Sequence, residues 1–386
     1  MSTLLEATEN QARARVALSA ALAGEPSHAY LFRGPRGSGK RAAARAFAAE
    51  LIAAASADPE DARRRALLDP SPHPDLVWLA PAGAQHMVEE VRERVIRAAA
   101  YRPFEGGKRV FVVEAAEAMR DESQNALLKT LEEPPEFVHL ILLSSDQEGL
   151  LETVASRCQA IDFAPLPAEV LERELADGPK SPIPAADGPN GPTQEDKSAH
   201  RQEEIAAAAR LAAGDLERAR LLLSGPGREL RAEVERCLAA ALAGETAKAP
   251  WKGLLDRAKA AGEDVEAAAR EALEEEAKAG IKRSAKDIAD GAKRAGRRRR
   301  TEILELGLEL CATYLRDLAA VASGAEEVAF NRDRLDRLRS QAAGLNPASA
   351  RHGAELVQET RRGLDLNVSE ELALEALFFR LERLLA

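Results

Sequence analysis

Cysteine is scarce: the 386 residues contain three, Cys158, Cys237 and Cys311, each more than 70 residues from the next. With no Cys-x-x-Cys pair a zinc ribbon is excluded, and the wide spacing argues against a disulfide framework, so a reducing compartment is expected. Aromatic residues make up only 4%. The core must therefore be built from aliphatic side chains and abundant alanine, which favours helix and lets helices approach closely. No apolar run reaches the ~20 residues needed to span a bilayer, so no membrane association is expected. The segment Met1–Leu22 carries Glu6, Glu9, Arg13 and Arg15 through its apolar stretch and does not read as a signal peptide. Basic residues are outnumbered, 54 Lys and Arg against 64 Asp and Glu, for a net charge of −10. That balance excludes a simple basic nucleic-acid coat protein but leaves room for local basic patches.

What is present falls into three parts. Through residue 165, short β-branched or aromatic runs at Tyr30–Phe32, Leu76–Leu79, Val110–Val113, Val138–Leu143 and Ala160–Phe163 alternate with helical stretches. The helical stretches are Lys40–Ala55, Val88–Ala100, Ser123–Glu133 and Glu148–Ser156, preceded by an opening helix at about Glu9–Ala23. Continuous apolar strands between helices predict βαβ units and a parallel sheet covered on both faces. Residues 166–243 read as helical around a Pro- and Gly-rich insertion at 177–200. That insertion holds five prolines and almost no large apolar residue, so it is expected to be disordered, with helical periodicity resuming near Arg201. Residues 244–386 are helical throughout. The last helix, Ser369–Leu385, places Leu374, Leu377, Phe378, Leu381 and Leu385 on one apolar face.

The segment Gly34-Pro35-Arg36-Gly37-Ser38-Gly39-Lys40-Arg41 leaves the first strand and opens a helix, which is the setting of a phosphate-binding loop. Gly34, Gly37 and Gly39 let the backbone fold around phosphate oxygens, and Lys40 reaches the terminal phosphates. The eighth position should be a Ser or Thr whose hydroxyl binds Mg²⁺, and it is Arg41, which cannot be a metal ligand. After the third strand a P-loop ATPase carries an Asp for Mg²⁺ and a Glu that positions the attacking water. Here the residues are Glu114, which stands in for the Asp, and Ala115, which can polarise nothing. Loss at both the metal and the water positions points to a loop that holds ATP or ADP, if either, without hydrolysing it.

Several segments in order carry a resemblance: Ser27-His28-Ala29-Tyr30-Leu31-Phe32 into the P-loop, His73-Pro74-Asp75, Ser123-Gln124-Asn125-Ala126-Leu127-Leu128-Lys129-Thr130-Leu131-Glu132-Glu133-Pro134-Pro135, and Ser156-Arg157-Cys158. Together they resemble the clamp-loader branch of the AAA+ ATPases, and within it the delta-prime subunit family of bacterial DNA polymerase III. The likeness is dense over about residues 10–165 and faint beyond. It implies an α/β AAA+ P-loop domain (1–165), a helical lid with the 177–200 insertion (166–243), and an all-α collar through which subunits form a ring (244–386). It further implies gamma/tau and delta subunits as partners, the beta sliding clamp indirectly, and primed DNA through the complex, in a cytoplasmic, nucleoid-associated replisome. By the same resemblance, Arg157 is the arginine finger offered in trans to a neighbouring motor subunit, and Ser144 and Ser145 stand where motors carry a γ-phosphate sensor.

Motor subunits also carry a lid arginine, and Glu217 stands at that position, with Arg218 next to it. The zinc module of many relatives is missing: Ala53–Pro72 has no cysteine and reads as a charged helix at Pro59–Leu68, so neither zinc nor any other metal is expected. These departures favour an ATPase-inactive stator over the alternative, an active gamma/tau-like motor of the same assembly. Lys282–Arg300 holds nine Lys or Arg against two Asp. This stretch reads either as a phosphate-contacting patch or as a solvated helix face.

Overall fold

The computed structural model describes all residues except 1–2, 82–84, 106, 146–148, 178–193, 279–283, 365–368 and 386. The chain separates into two units, Met1–Leu166 and Pro167–Ala386.

In the first unit, α1 (Leu4–Ala7) and α2 (Ala12–Ala23) precede β1 (Ala29–Arg33). Then follow α3 (Lys40–Ala53), α4 (Pro59–Ala66), β2 (Leu76–Leu79), α5 (Val88–Val91), β3 (Arg109–Val113), α6 (Asp121–Glu132), β4 (Val138–Ser144), α7 (Glu152–Ala155) and β5 (Gln159–Asp162). The strands form one parallel sheet in the order β2-β3-β4-β1-β5, with Leu31 opposite Leu142 and Phe111 opposite Leu140. Both β3 and β4 are buried along their whole length, as continuous apolar runs require. The period of two sorts their side chains. Tyr30, Phe32, Val110, Val112 and Ile141 join Phe47, Leu51 and Ile52 of α3 on one face. Leu31, Phe111, Val113, Leu140 and Leu142 meet Val91, Val95, Leu127 and Leu131 on the other.

All five expected strands are present, and three helices differ from expectation. The opening helix is two pieces: a Thr3–Glu6 capping box starts α1, and α2 begins only after Gln11, whose side chain is drawn into the phosphate loop. The stretch after Val88 is α-helical for four residues and then widens into a π-helical turn at Arg92–Arg97. Of the helix expected over Glu148–Ser156, Glu148 lies outside the described residues and the remainder shortens to α7, because the Leu151 N–H donates to the Gln124 side chain at 2.7 Å instead of continuing a helix.

The second unit is helical: α8 (Ala168–Asp177), α9 (Gln194–Leu211), α10 (Leu216–Leu223), α11 (Gly225–Leu242), α12 (Lys252–Lys278), α13 (Ala285–Ala322), α14 (Leu335–Ala342), α15 (Pro347–Leu364) and α16 (Glu370–Leu385). Most of the 177–200 insertion lies outside the described residues. Its edges are helical, since α8 runs to Asp177 and α9 starts at Gln194, ahead of Arg201. The boundary expected at residue 243 between lid and collar falls inside this unit. Leu374, Leu377, Phe378, Leu381 and Leu385 of α16 are all buried. Trp251 stacks on Phe378 at 6.2 Å, placing one of the few aromatic pairs in this core. Helices α12 and α13 run antiparallel and cross at Gly262 and Gly296, where a Cβ on either glycine would lie 2.8 Å from the other's carbonyl oxygen. Among the described residues no helix is long and apolar enough to cross a membrane.

Candidate nucleotide site and its surroundings

The loop between β1 and α3 sits at the carboxyl ends of β1, β3 and β4, where ligands bind in open α/β sheets. Gly34 has φ +155°, and a Cβ there would come within 2.2 Å of the Phe163 carbonyl oxygen, so only glycine passes between the two strand ends. Gly39, at φ +88°, turns the chain into α3, whose first turn has no side-chain cap. The first N–H groups of an uncapped helix are donors without intrahelical partners, and the helix dipole favours an anion there.

Lys40 is almost fully buried. Its Nζ donates to the carbonyls of Gly34 at 2.7 Å and Pro35 at 2.9 Å, and to Ser145 Oγ at 2.9 Å. The Ser145 N–H in turn donates to Glu117 Oε1 at 3.1 Å. The loop lysine, the serine after β4 and the acid that follows β3 thus form one chain of hydrogen bonds. Ser144 is buried at the end of β4, one residue before this contact. Ser38 Oγ is buried with no partner. Glycines in left-handed conformations, an uncapped helix start and a lysine within the loop fit the phosphates of ATP or ADP.

The magnesium position does not fit. Arg41 crosses from α3 to the residue after β3, and its Nε donates to Glu114 Oε1 at 2.6 Å. The same carboxylate oxygen accepts from Trp78 Nε1. Arg41 Nη2 also donates to Asp69 Oδ2 at 3.1 Å, and Asp69 pairs with Arg45 at 2.9 Å. The Arg45 guanidinium lies 4.3 Å above the Trp78 ring. Burial lowers the pKa of Arg45 and the neighbouring Arg41 adds to this, while Asp69 and Glu114 oppose it. Two guanidinium and two carboxylate groups therefore pair with one another where a P-loop ATPase places its metal. Ala115, at the water-positioning place, adopts φ +47°, a left-handed conformation that costs a residue with a Cβ roughly 1–2 kcal/mol. Among the described residues no cluster of three or more His, Cys, Asp or Glu is arranged to hold a metal ion.

Arg157 follows α7 on the surface. Its Nη2 pairs with Glu132 Oε1 at 2.6 Å, and its Nη1 donates to the Thr153 carbonyl at 2.8 Å. The ion pair joins the Leu131-Glu132-Glu133-Pro134-Pro135 run to the Ser156-Arg157-Cys158 run. Cys158 beside it is half-buried, and burial pushes its thiol pKa up to about 12. In the second unit Asp215 caps α10 by accepting from the Arg218 N–H at 3.0 Å, and the Arg218 side chain is committed to Glu309 at 2.8 Å. Glu217 lies in the first turn of α10. In the basic stretch, Arg298 and Arg299 pair with Glu302 at 3.1 and 3.6 Å, and Arg300 pairs with Glu370. Lys282 and Arg283 lie outside the described residues.

Three supporting residues were not singled out from the sequence. Gln11 Nε2 donates to the carbonyls of Ser38 at 2.9 Å and Ala164 at 2.7 Å, and Gln11 Oε1 accepts from the Ala164 N–H at 3.0 Å. Asp75 accepts from the N–H groups of Phe104 at 2.7 Å and Glu105 at 2.9 Å, which gives the His73-Pro74-Asp75 motif a structural task. Gln124 holds Met119, Gly149 and Leu151 together. The last two lie within the quoted motifs, so the signal was present; nothing in the sequence marks Gln11.

Residues 10–167 match the family model described as DNA polymerase III, delta subunit. The chain is 39% identical over 166 residues to DNA polymerase III subunit delta′ of Pseudomonas aeruginosa, covering 40% of this chain and 49% of that one. It is 32% identical over 161 residues to the delta′ subunit of Bacillus subtilis, covering 40% and 48%. Against subunit tau/gamma of Haemophilus influenzae the identity is 34% over 152 residues, covering 39% and 22%. The chain thus spans about half the length of the delta′ relatives it matches. A gamma-subunit-related protein of Thermotoga maritima aligns over 96% of this chain and 99% of its own at 14% identity and a TM-score of 0.41.

Proposed function

We propose, from the match of residues 10–167 to the family model and the likeness to delta′ subunits, that this chain is a non-hydrolysing clamp-loader subunit of the delta-prime kind. The observation that carries the reading is the Arg41–Glu114 ion pair at 2.6 Å, which fills the metal position of an ATPase with a protein cation. Ala115 adds to it, because a methyl group cannot orient an attacking water. The loop would hold the phosphates of ATP or ADP through Lys40 and the start of α3. A bound nucleotide there supplies a folded, charged surface and no turnover.

In this reading Arg157 leaves Glu132 and reaches the γ-phosphate held by a neighbouring gamma/tau motor subunit. A guanidinium delivered in trans stabilises charge on the transferring phosphoryl group and accounts for roughly 10³–10⁵ in rate in well-studied GTPases. Its surface position and its exposed carboxylate partner suit a group that changes partners, since exposed pairs contribute about 0–1 kcal/mol. The delta subunit completes the ring, with the beta clamp and primed DNA engaged through the whole complex.

The test is ATP turnover by the isolated chain and by the assembly with gamma/tau, delta, clamp and primed DNA. The isolated chain should show none. Arg157→Ala should lower turnover by the assembly at least about tenfold while the subunits still co-elute, a loss of about 1.4 kcal/mol in transition-state stabilisation. A second reading, an active motor, is favoured by the match to tau/gamma subunits at 34% identity; turnover by the isolated chain would establish it and refute the first.

A further inference from the structure

We infer that the Arg41 guanidinium is a built-in substitute for the divalent cation, so that the Gly34–Lys40 loop takes a nucleoside di- or triphosphate without metal. The inference rests on the reading that the loop holds nucleotide phosphates, and it adds what that reading leaves open, the source of the neutralising charge.

A phosphate loop in an ATPase neutralises its ligand with a lysine and a metal ion held by a hydroxyl and, through water, a carboxylate. Here the hydroxyl position projects a guanidinium, and Glu114, the carboxylate, is its hydrogen-bond partner. A metal ion at Glu114 Oε1 would have to displace two donors at once, Arg41 Nε and Trp78 Nε1. It would also meet the Arg41 guanidinium at short range, with Arg45 beside it on Asp69.

The same contacts hold the guanidinium in place for a phosphate. Glu114 engages Nε and Asp69 engages Nη2, and Arg45 is fixed in turn by Asp69 and the Trp78 ring. A guanidinium held by carboxylates is oriented before a ligand arrives, so less freedom is lost on binding. Arg41 is adjacent in sequence to Lys40, at the uncapped start of α3, and its side chain is about half exposed. Both cations thus leave the first turn of α3, Lys40 toward the Gly34 and Pro35 carbonyls and Arg41 toward Glu114 and Asp69. Arginine forks suit phosphate oxygens, and their charge, unlike that of a bound metal, does not leave with a chelator.

The experiment is calorimetric titration of the full chain with ADP, and separately with ATP, in buffer containing EDTA and in buffer containing excess magnesium chloride. The wild-type Kd should agree within about twofold between the two buffers. Arg41→Thr, which restores the metal-binding hydroxyl and releases Glu114, should weaken binding about tenfold in EDTA and recover it with magnesium. Glu114→Gln keeps the guanidinium while removing its strongest counter-charge, and should bind in EDTA at least as tightly as wild type. Circular dichroism melts confirm that each variant is folded, and Glu114→Gln serves if Arg41→Thr is not. Wild-type binding that requires magnesium, absence of binding of either nucleotide in EDTA, or magnesium dependence in Glu114→Gln would each overturn the inference. Turnover by the isolated chain would refute the non-hydrolysing reading instead, so the two failures are distinct.

Discussion

Removing the Gln11 side chain should loosen the phosphate loop and the sheet together, because one amide ties them. Gln11 is 6% exposed and makes three hydrogen bonds of 2.7 to 3.0 Å, to Ser38 in the loop and to both backbone groups of Ala164 beyond β5. At about 0.5–1.5 kcal/mol each, the bonds contribute about 1.5–4.5 kcal/mol. Freeing a glutamine side chain returns up to about 2 kcal/mol of rotamer entropy. Gln11→Ala should therefore destabilise the first unit by about 2 kcal/mol. Trp78 lies in this unit and Trp251 in the other, so a Trp251→Phe background leaves Trp78 as the only indole reporting on it. Urea unfolding of that background with and without Gln11→Ala, at equal slope, reads the difference as a midpoint shift. Gln11→Glu sharpens the test by pointing an oxygen at the carbonyls of Ser38 and Ala164. Repulsion there raises the folded-state pKa of the new carboxyl above its unfolded value. Its stabilising contribution is therefore present at low pH and lost as pH rises through the folded pKa. A shift below about 0.5 kcal/mol for Gln11→Ala, or a Gln11→Glu chain as stable at neutral pH as wild type, would refute the reasoning.

Two further outcomes follow from the same unit. Burial lowers the pKa of His139 to about 4, although Nδ1 contacts the Ser27 carbonyl at 2.9 Å. Because the unfolded histidine titrates near 6.5, its neutral form stabilises the fold fully above that pH. That stability is lost as pH falls toward about 4, at up to about 1.4 kcal/mol per pH unit. Urea midpoints measured from about pH 7 down to about pH 4 should fall less steeply for His139→Asn than for wild type; equal slopes would assign the acid sensitivity elsewhere. Ala115→Gly should stabilise the unit by about 0.5–1 kcal/mol, since glycine accepts φ +47° without the Cβ clash but orders at greater entropic cost. An unchanged or lower midpoint would show that the surrounding contacts need the methyl group.

The central strands β3 and β4 were legible because each carries a continuous apolar run buried on both faces, whereas β5, Gln159–Asp162, is exposed at all but Ile161 and showed itself only through the Ala160–Phe163 run that overlaps it. The phosphate loop was legible because glycine spacing, a preceding strand and a following helix coincide over eight residues. The ion pair that changes its chemistry was half legible: Arg41 and Glu114 each stood out as the wrong residue, but 73 positions separate them and nothing local says they touch. Gln11 was illegible for the same reason at greater distance, its partner Ala164 lying 153 residues away. It also explains the miss at the opening helix, where periodicity runs on through a residue whose side chain is needed elsewhere. The basic run at Lys282–Arg300 shows the reverse error of emphasis. Composition marks a block of charge, whereas Glu302 and Glu370 take up three of its arginines.

The glycine contact between α12 and α13 fixes more than a distance. Each glycine lets the opposite carbonyl oxygen come within 2.8 Å of where a Cβ would sit, so the two backbones meet closely at one rung. Slipping one helix by a turn would bring Ala258 or Glu266 of α12 opposite Gly296, and a side chain cannot occupy that space. A hairpin arm of 27 residues, about 40 Å long at 1.5 Å per residue, is thereby held in a single phase, like a vernier locked at one mark. Any force applied along α13 would be transmitted to the rest of its unit as rotation or translation of the paired helices together, with no sliding between them to absorb it.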